Sequence, residues 1–258
     1  NEDITTPPIV IANPDLLSCV DTIIDLDATG SASGVDYIIE WTSPDGNILN
    51  GVNTLNPQID QIGTYVLSIQ NTQNGCENEQ IIAVQEDISI LTVDTDVPQL
   101  LTCETLDINL SAQGNGGTNL TYEWNTADGS ITGGQNTSTP NVDAPGTYGV
   151  LVTDGNNGCT AEATLNVAQD ITPPQANAGA DDAVSCVDPE ATLDGSLSST
   201  GMNYTYLWSS TGGNILSGAN TLNPVVDAGG DYTILVTNLD NGCTAESSTT
   251  VEQVSQLP

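Results

Sequence analysis

Six cysteines and 34 carboxylates are the side chains of this 258-residue chain with chemistry to offer, because it contains no lysine, arginine or histidine. That composition removes most of enzymology. A Ser–His–Asp triad needs an imidazole, a Schiff base needs an amine, and a phosphate-binding P-loop needs its lysine. Lys–Asn cross-links of the pilus type are excluded for the same reason. Paired carboxylates remain, as in glycoside hydrolysis. Yet the acids at matching places, Asp60, Asp143 and Asp227, occur three times, each just ahead of a Gly-x-Tyr turn. An active site normally occurs once, so a repeated turn residue or edge charge explains them better. The chain reads as a non-enzyme.

Metal chemistry is narrower still. Zinc would need histidine or close cysteine pairs, and no two cysteines lie within four residues of each other. Calcium prefers clustered carboxylate and carbonyl oxygens. The candidates are Glu86 and Asp87 in "QEDI" and Asp170 in "AQDI", with Asp25, Asp27 and Asp194 as neighbours. No EF-hand or RTX-type spacing accompanies them, and a solvated acidic face is the plainer reading. No other cofactor is expected.

The cysteines fall into three evenly placed pairs: Cys19 and Cys76, Cys103 and Cys159, Cys186 and Cys243. Such regularity points to an oxidising compartment and to disulfides with no thiol left free. Bonding within each pair is the preferred expectation, closing a loop worth about 4 kcal/mol in the chain-entropy model. The rival joins the first cysteine of one repeat to the second cysteine of its neighbour. In a standard sandwich the two places of one repeat can fall at opposite ends, out of disulfide reach.

The formal charge of -34 excludes nucleic acid as a partner, since phosphate neutralisation needs Lys or Arg, and gives anionic lipid nothing to attract. Close self-association is disfavoured at low salt. At marine-like ionic strength the Debye length falls to about 4–5 Å and most of the repulsion is screened. Disorder is the usual outcome for an acidic chain. Here 37% hydrophobic residues, three Trp, seven Tyr and strand-like alternation oppose it. No apolar run approaches the ~18–20 residues of a membrane span. The opening "NEDI" lacks the basic and apolar regions of a signal peptide and matches a repeat boundary, as in a processed protein or an excerpt of a longer array.

The elements that position these residues are repeats. "GNILNGVNTLNPQIDQIGTY" at 46–65 returns as "GSITGGQNTSTPNVDAPGTY" at 129–148 and as "GNILSGANTLNPVVDAGGDY" at 213–232. Trp41, Trp124 and Trp208 keep the same interval, and each lies 24 residues before Tyr65, Tyr148 or Tyr232. Three domains are expected, 1–87, 88–170 and 171–258. Within each the apolar period is two: Tyr37, Ile39, Trp41; Tyr65, Leu67, Ile69; Ile24 and Leu26. Turn chemistry separates these runs, with "PDGN", "ADGS" and "TGGN" followed by "QNGC", "NNGC" and "DNGC". Several short strands in about 85 residues predict an all-β chain, a tandem array of three antiparallel β-sandwich domains. "NLT" at 119–121, "NTS" at 136–138 and "NYT" at 203–205 match the N-glycosylation pattern, which an Asn- and Thr-rich chain meets by chance.

The third repeat, "PPQANAGADDAVSC…ATLDGSLSS…YTYLW…GDYTILVTNLDNGCTAE", resembles the PKD/Ig-like repeats in giant surface proteins of Bacteroidota. All three repeats share the resemblance. It implies export by the type IX system, an extracellular or cell-surface location, and a role in adhesins, gliding-related fibres or long surface appendages. It implies no catalytic residue. The expected function is a non-enzymatic spacer or tether whose partners are neighbouring repeats, of the same or identical chains, or surface glycans. The alternatives are a carbohydrate- or surface-binding module of a secreted enzyme and a laterally associating filament subunit. An exposed row of aromatics would favour binding, and burial of the three Trp would favour a scaffold.

Overall fold

The structure, a computed structural model, describes residues 4–254. Among them there is no helix; 25 strands gather around three separate hydrophobic clusters. We refer to the first, second and third units by these clusters.

The first unit shows the pattern. Its strands are β1 (Leu17–Ser18), β2 (Ile24–Asp25), β3 (Tyr37–Thr42), β4 (Ile48–Asn50), β5 (Gln58–Ile59), β6 (Gly63–Asn71), β7 (Glu77–Val84) and β8 (Glu86–Asp87). One sheet runs β3-β6-β7 and the facing one β2-β5-β4, both antiparallel. This is the immunoglobulin arrangement of two small sheets with sequence-adjacent strands divided between them. The second unit repeats it with Leu120–Thr126, Gly146–Asp154 and Thr160–Val167 against Ile108–Asn109, Asn141–Val142 and Ile131–Gly133. The third uses Tyr204–Thr211, Gly230–Asn238 and Thr244–Val254 against Ala191–Thr192, Val225–Val226 and Ile215–Ser217. The chain is thus an all-β tandem array of three Ig-like sandwiches. The sequence did not show its parallel edges: β1 runs beside β8, Leu101–Thr102 beside Gln169–Asp170, and Asp182–Ser185 beside the last strand.

Period-two patterning becomes burial as expected of a sheet with one face inward. On β6, Tyr65, Leu67 and Ile69 are fully buried while the residues between them are only half-covered. Leu26, Leu110 and Leu193 are buried from the facing sheet. The indoles of Trp41, Trp124 and Trp208 sit in the three cores at 2%, 0% and 3% exposure.

Two polar anchors explain why the twenty-residue stretch is copied. Each indole Nε1 donates into it: Trp41 to the Thr54 carbonyl at 3.0 Å, Trp124 to Thr137 at 2.9 Å, Trp208 to Thr221 at 3.0 Å. Each buried phenol closes a tyrosine corner, donating four residues back to the carbonyl of Gln61, Ala144 or Ala228 at 2.6–2.7 Å. The same oxygen accepts the backbone N–H of Asn47, Ser130 or Asn214. A Cβ on Gly46, Gly129 or Gly213 would run into that phenol, so the turn needs glycine on space alone. Asp60 and Asp227 accept from the side chains of Asn47 and Asn214 at 2.8 Å, as repeated turn residues do.

Candidate functional site at the unit junctions

Each first cysteine sits at the second place of a tight turn. Ser18 Oγ accepts from the N–H of Val20 and Asp21, Thr102 Oγ1 from Glu104 and Thr105, and Ser185 Oγ from Val187 and Asp188. The turns are closed by Ser18 N–H to the Asp21 carbonyl, Thr102 to Thr105 and Ser185 to Asp188, at 2.8–3.0 Å. Each second cysteine ends an Asn-Gly-Cys turn. Its N–H donates to the Asn side-chain oxygen, at 2.9 Å for Cys76 to Asn74 and 3.0 Å for both Cys159 to Asn157 and Cys243 to Asn241. The glycines between them, Gly75, Gly158 and Gly242, have φ of 73°, 69° and 69°, a left-handed backbone that glycine adopts without cost.

These two kinds of turn meet across the units. Cys19 is bonded to Cys159 and Cys103 to Cys243, with Cα–Cα distances of 4.9 and 5.0 Å. The expected bonds Cys19–Cys76, Cys103–Cys159 and Cys186–Cys243 are not made, and Cys76 and Cys186 are free thiols. The parallel edge gives the reason. Ser18 is in register with Asp87, at the far end of the β7–β8 edge, whereas Cys76 immediately precedes β7. An extended stretch of that length is about 30 Å or more, several times the Cα reach of a disulfide. The far end of one unit faces the near end of the next, so the bond crosses the junction. An Ig-type bond between the two sheets would need cysteines inside β2 and β6, and neither strand holds one.

Asparagine side chains reinforce both junctions. Asn157 Nδ2 donates to Asp87 Oδ1 at 3.2 Å and to Ser89 Oγ at 3.0 Å. Asn241 Nδ2 donates to the Thr172 carbonyl at 3.1 Å, and the Cys103 N–H donates to the Asn241 carbonyl at 3.0 Å. Asn157, Cys159, Asn241 and Cys243 are all buried there. A Cβ at Gly158 would overlap the Val20 side chain, and one at Gly242 the Glu104 side chain. Sequence reasoning missed these asparagines and the Ser/Thr turns; the signal for them was the threefold "NGC" and the repeated "SCVD".

The calcium candidates are divided between the junctions. Glu86 and Asp87 lie at the first, where Asp87 also lines a shallow polar cleft with Asp15, Asp21 and Asp25, and Asp170 lies at the second. Among the described residues no three His, Cys, Asp or Glu side chains are grouped to hold a metal ion. Asp170 accepts hydrogen bonds from protein donors. The Thr172 N–H at 3.1 Å, then the Asn241 side chain, hold its carboxyl below the usual carboxylate range. Asp27 and Asp194 are lowered in the same way by the side chain and N–H of Thr29 and of Ser196. Burial pushes the Tyr65 phenol up; the Asp60 and Asp45 carboxylates add to this, and the Asn47 backbone bond opposes it.

No family model and no curated protein matches the chain. Among solved structures it is similar to the three N-terminal domains of the bacteriophage RB49 highly immunogenic outer capsid protein. That match has 15% identity and a TM-score of 0.38, and covers 96% of this chain and 100% of that one. It is also similar to the N-terminal eight Ig domains of Down syndrome cell adhesion molecule, at 12% identity and a TM-score of 0.37, over 97% of this chain and 37% of that one. For Sidekick-1 immunoglobulin domains 1–5 the figures are 13%, 0.31, 98% and 60%. At these scores no role passes from them to this chain. The Ig-like assignment rests on the sheets themselves.

Proposed function

We propose that the chain is a non-enzymatic structural segment of an extracellular bacterial fibre, appendage or adhesin, made of units 1–87, 88–170 and 171–258 and acting as a spacer or tether. The observation that carries this is the pair of disulfides placed across the two junctions. A bond inside a unit would stabilise that unit alone; a bond across a junction holds the far end of one unit to the near end of the next under load. Disulfides also fit an oxidising compartment outside the cytoplasm. The resemblance of the repeats to surface proteins of Bacteroidota supports the same setting, and the absence of Lys and Arg removes every trypsin-type cleavage site. A glycan-stacking module draws no support from the aromatics, because none of the three Trp and seven Tyr is exposed.

Small-angle scattering tests the reading. Units of about 35–40 Å, from strands of ~6–10 residues plus loops, give a rod on the order of 110 Å for three in line. A compact particle, or binding of an isolated unit on a glycan array, would overturn the tether in favour of a recognition module.

A further inference from the structure

The two junction bonds overlap along the chain. Cys19–Cys159 closes over Cys103, and Cys103–Cys243 closes over Cys159. The four sulfurs therefore make two nodes, Cys19 with Cys159 at the first junction and Cys103 with Cys243 at the second. Three stretches of backbone run between these same nodes: 20–102, 104–158 and 160–242. Bonds inside each unit would give a different object, three closed loops strung on single connections.

The second unit lays the three stretches side by side. From the first stretch, Thr92–Thr95 pairs antiparallel with Ala112–Asn115 of the middle one. From the third, Thr160–Val167 pairs with Gly146–Asp154 of the middle one, and Gln169–Asp170 runs parallel to Leu101–Thr102 of the first. The nodes stand at the two ends of this edge. Cys159 immediately precedes Thr160–Val167, and Cys103 follows Thr102, which is in register with Asp170. Residues 160–170, extended, separate them by about 35 Å.

We propose that the two bonds make the chain from Cys19 to Cys243 a redundant covalent link, in which load entering before Cys19 and leaving after Cys243 has three parallel routes. A backbone cut in one stretch, or in two different ones, leaves the nodes joined through what remains. Exposed loop tips are where proteases cut, and Val97 and Met202 lie on such loops, almost wholly exposed. Reach is capped as well. The link goes taut at its shortest stretch, the 56 residues from Cys103 to Cys159, at ~200 Å when fully extended. Without the bonds the 224 residues from Cys19 to Cys243 would extend to ~800 Å.

The load itself rests on the tether reading, and the test of the link is separate from scattering. Cyanogen bromide cuts after methionine, and Met202 is the chain's one methionine. Val97→Met and Asn136→Met, both at exposed positions, add a cut in the first and in the middle stretch. The oxidised full chain and its variants are cut in dilute acid with guanidinium, where the thiols of Cys76 and Cys186 do not exchange. Products are run on a non-reducing denaturing gel. The natural chain should stay in one piece, and so should Val97→Met, although cut twice. The variant with both substitutions, cut in all three stretches, should fall into two bonded pairs, 1–97 with 137–202 and 98–136 with 203–258. Release of residues 1–97 from Val97→Met without reductant would overturn the proposal, because bonds inside each unit leave that fragment free.

Stretching the chain by handles outside the bonds gives a second measure, which counts covalent path whether or not a variant folds. The limit of ~200 Å between Cys19 and Cys243 should rise to ~300 Å in Cys19→Ser and in Cys103→Ser, each opening one bond, and stay unchanged in Cys76→Ser. A longer reach in Cys76→Ser would also overturn the link. A compact particle in scattering that stays whole after two cuts would sink the tether and keep the link; a rod that sheds residues 1–97 would do the reverse.

Discussion

The Asn-Gly-Cys turns at 74–76 and 157–159 have nearly the same backbone, with glycine φ of 73° and 69° and the same Asn-to-Cys hydrogen bond, yet they live in different surroundings. Asn157 and Cys159 are buried under the first unit at 3% exposure each, whereas Cys76 is half-exposed and nothing covers Gly75. The comparison separates two causes. The shape of the turn comes from its own residues; its burial and its covalent bond come from the preceding unit.

Removing the bond should produce the largest difference between the two turns. Cys159→Ser frees the second unit from the first, and a cross-link closing a loop of 140 residues is worth about 5 kcal/mol in the unfolded chain. Amide exchange in strands 146–154 and 160–167 should accelerate accordingly, while the third unit, held through Cys103–Cys243, keeps its protection. Cys76→Ser should leave every unit's stability nearly unchanged. An equal effect of the two substitutions would erase the distinction.

A smaller effect should come from the glycines. Gly75→Ala and Gly158→Ala both place a side chain in the left-handed region, costing about 1 kcal/mol each. Gly158→Ala must also displace Val20, so its cost should be higher by a further kcal/mol or so, in the range of a mildly overpacked contact. Urea unfolding of the two variants measures the gap, and identical midpoint shifts would show that the neighbouring loop does not press on the turn.

The smallest effect is electrostatic. Asp170 titrates below its unfolded value because Thr172 and Asn241 donate to its charged form. Its contribution is present above the unfolded carboxylate pKa, near 3.9, and is lost as pH falls through the lower folded value. Asp170→Asn should therefore cost stability at neutral pH and flatten the loss on acidification near the second junction. Tyr65 has the opposite sense. Its raised pKa makes stability complete below about pH 10 and lost as pH rises through the folded value. A pH profile of exchange rates follows both, and an unchanged acid limb in Asp170→Asn would remove that carboxylate from the junction.

Much of this was legible beforehand. Alternation about Trp41 and Tyr65 located the inner strands, because a strand with one buried face must place apolar groups at every second residue. Threefold repetition of "NGC" marked the turns. The disulfide partners were not legible. Cys19 and Cys76 sit alike in every repeat, and spacing does not say which end of a sandwich each occupies. That depended on the parallel pairing of two-residue strands such as β1 and β8, too short to carry a periodic signal. The hydrogen bond that Asp87 accepts from Asn157 was not legible for the same reason: that neighbour lies 70 positions away.

The amino-acid sequence by itself determined the all-β class, the three repeats, the Asn-Gly-Cys turns and the exclusion of histidine- and lysine-based chemistry, since these depend on local pattern and composition. Only the tertiary structure decided that Cys19 meets Cys159 and Cys103 meets Cys243, and that Cys76 and Cys186 are left over. A disulfide needs Cα atoms within a few ångströms. Which cysteines satisfy that is set by how the sheets carry each turn to one end of its unit and how the units abut.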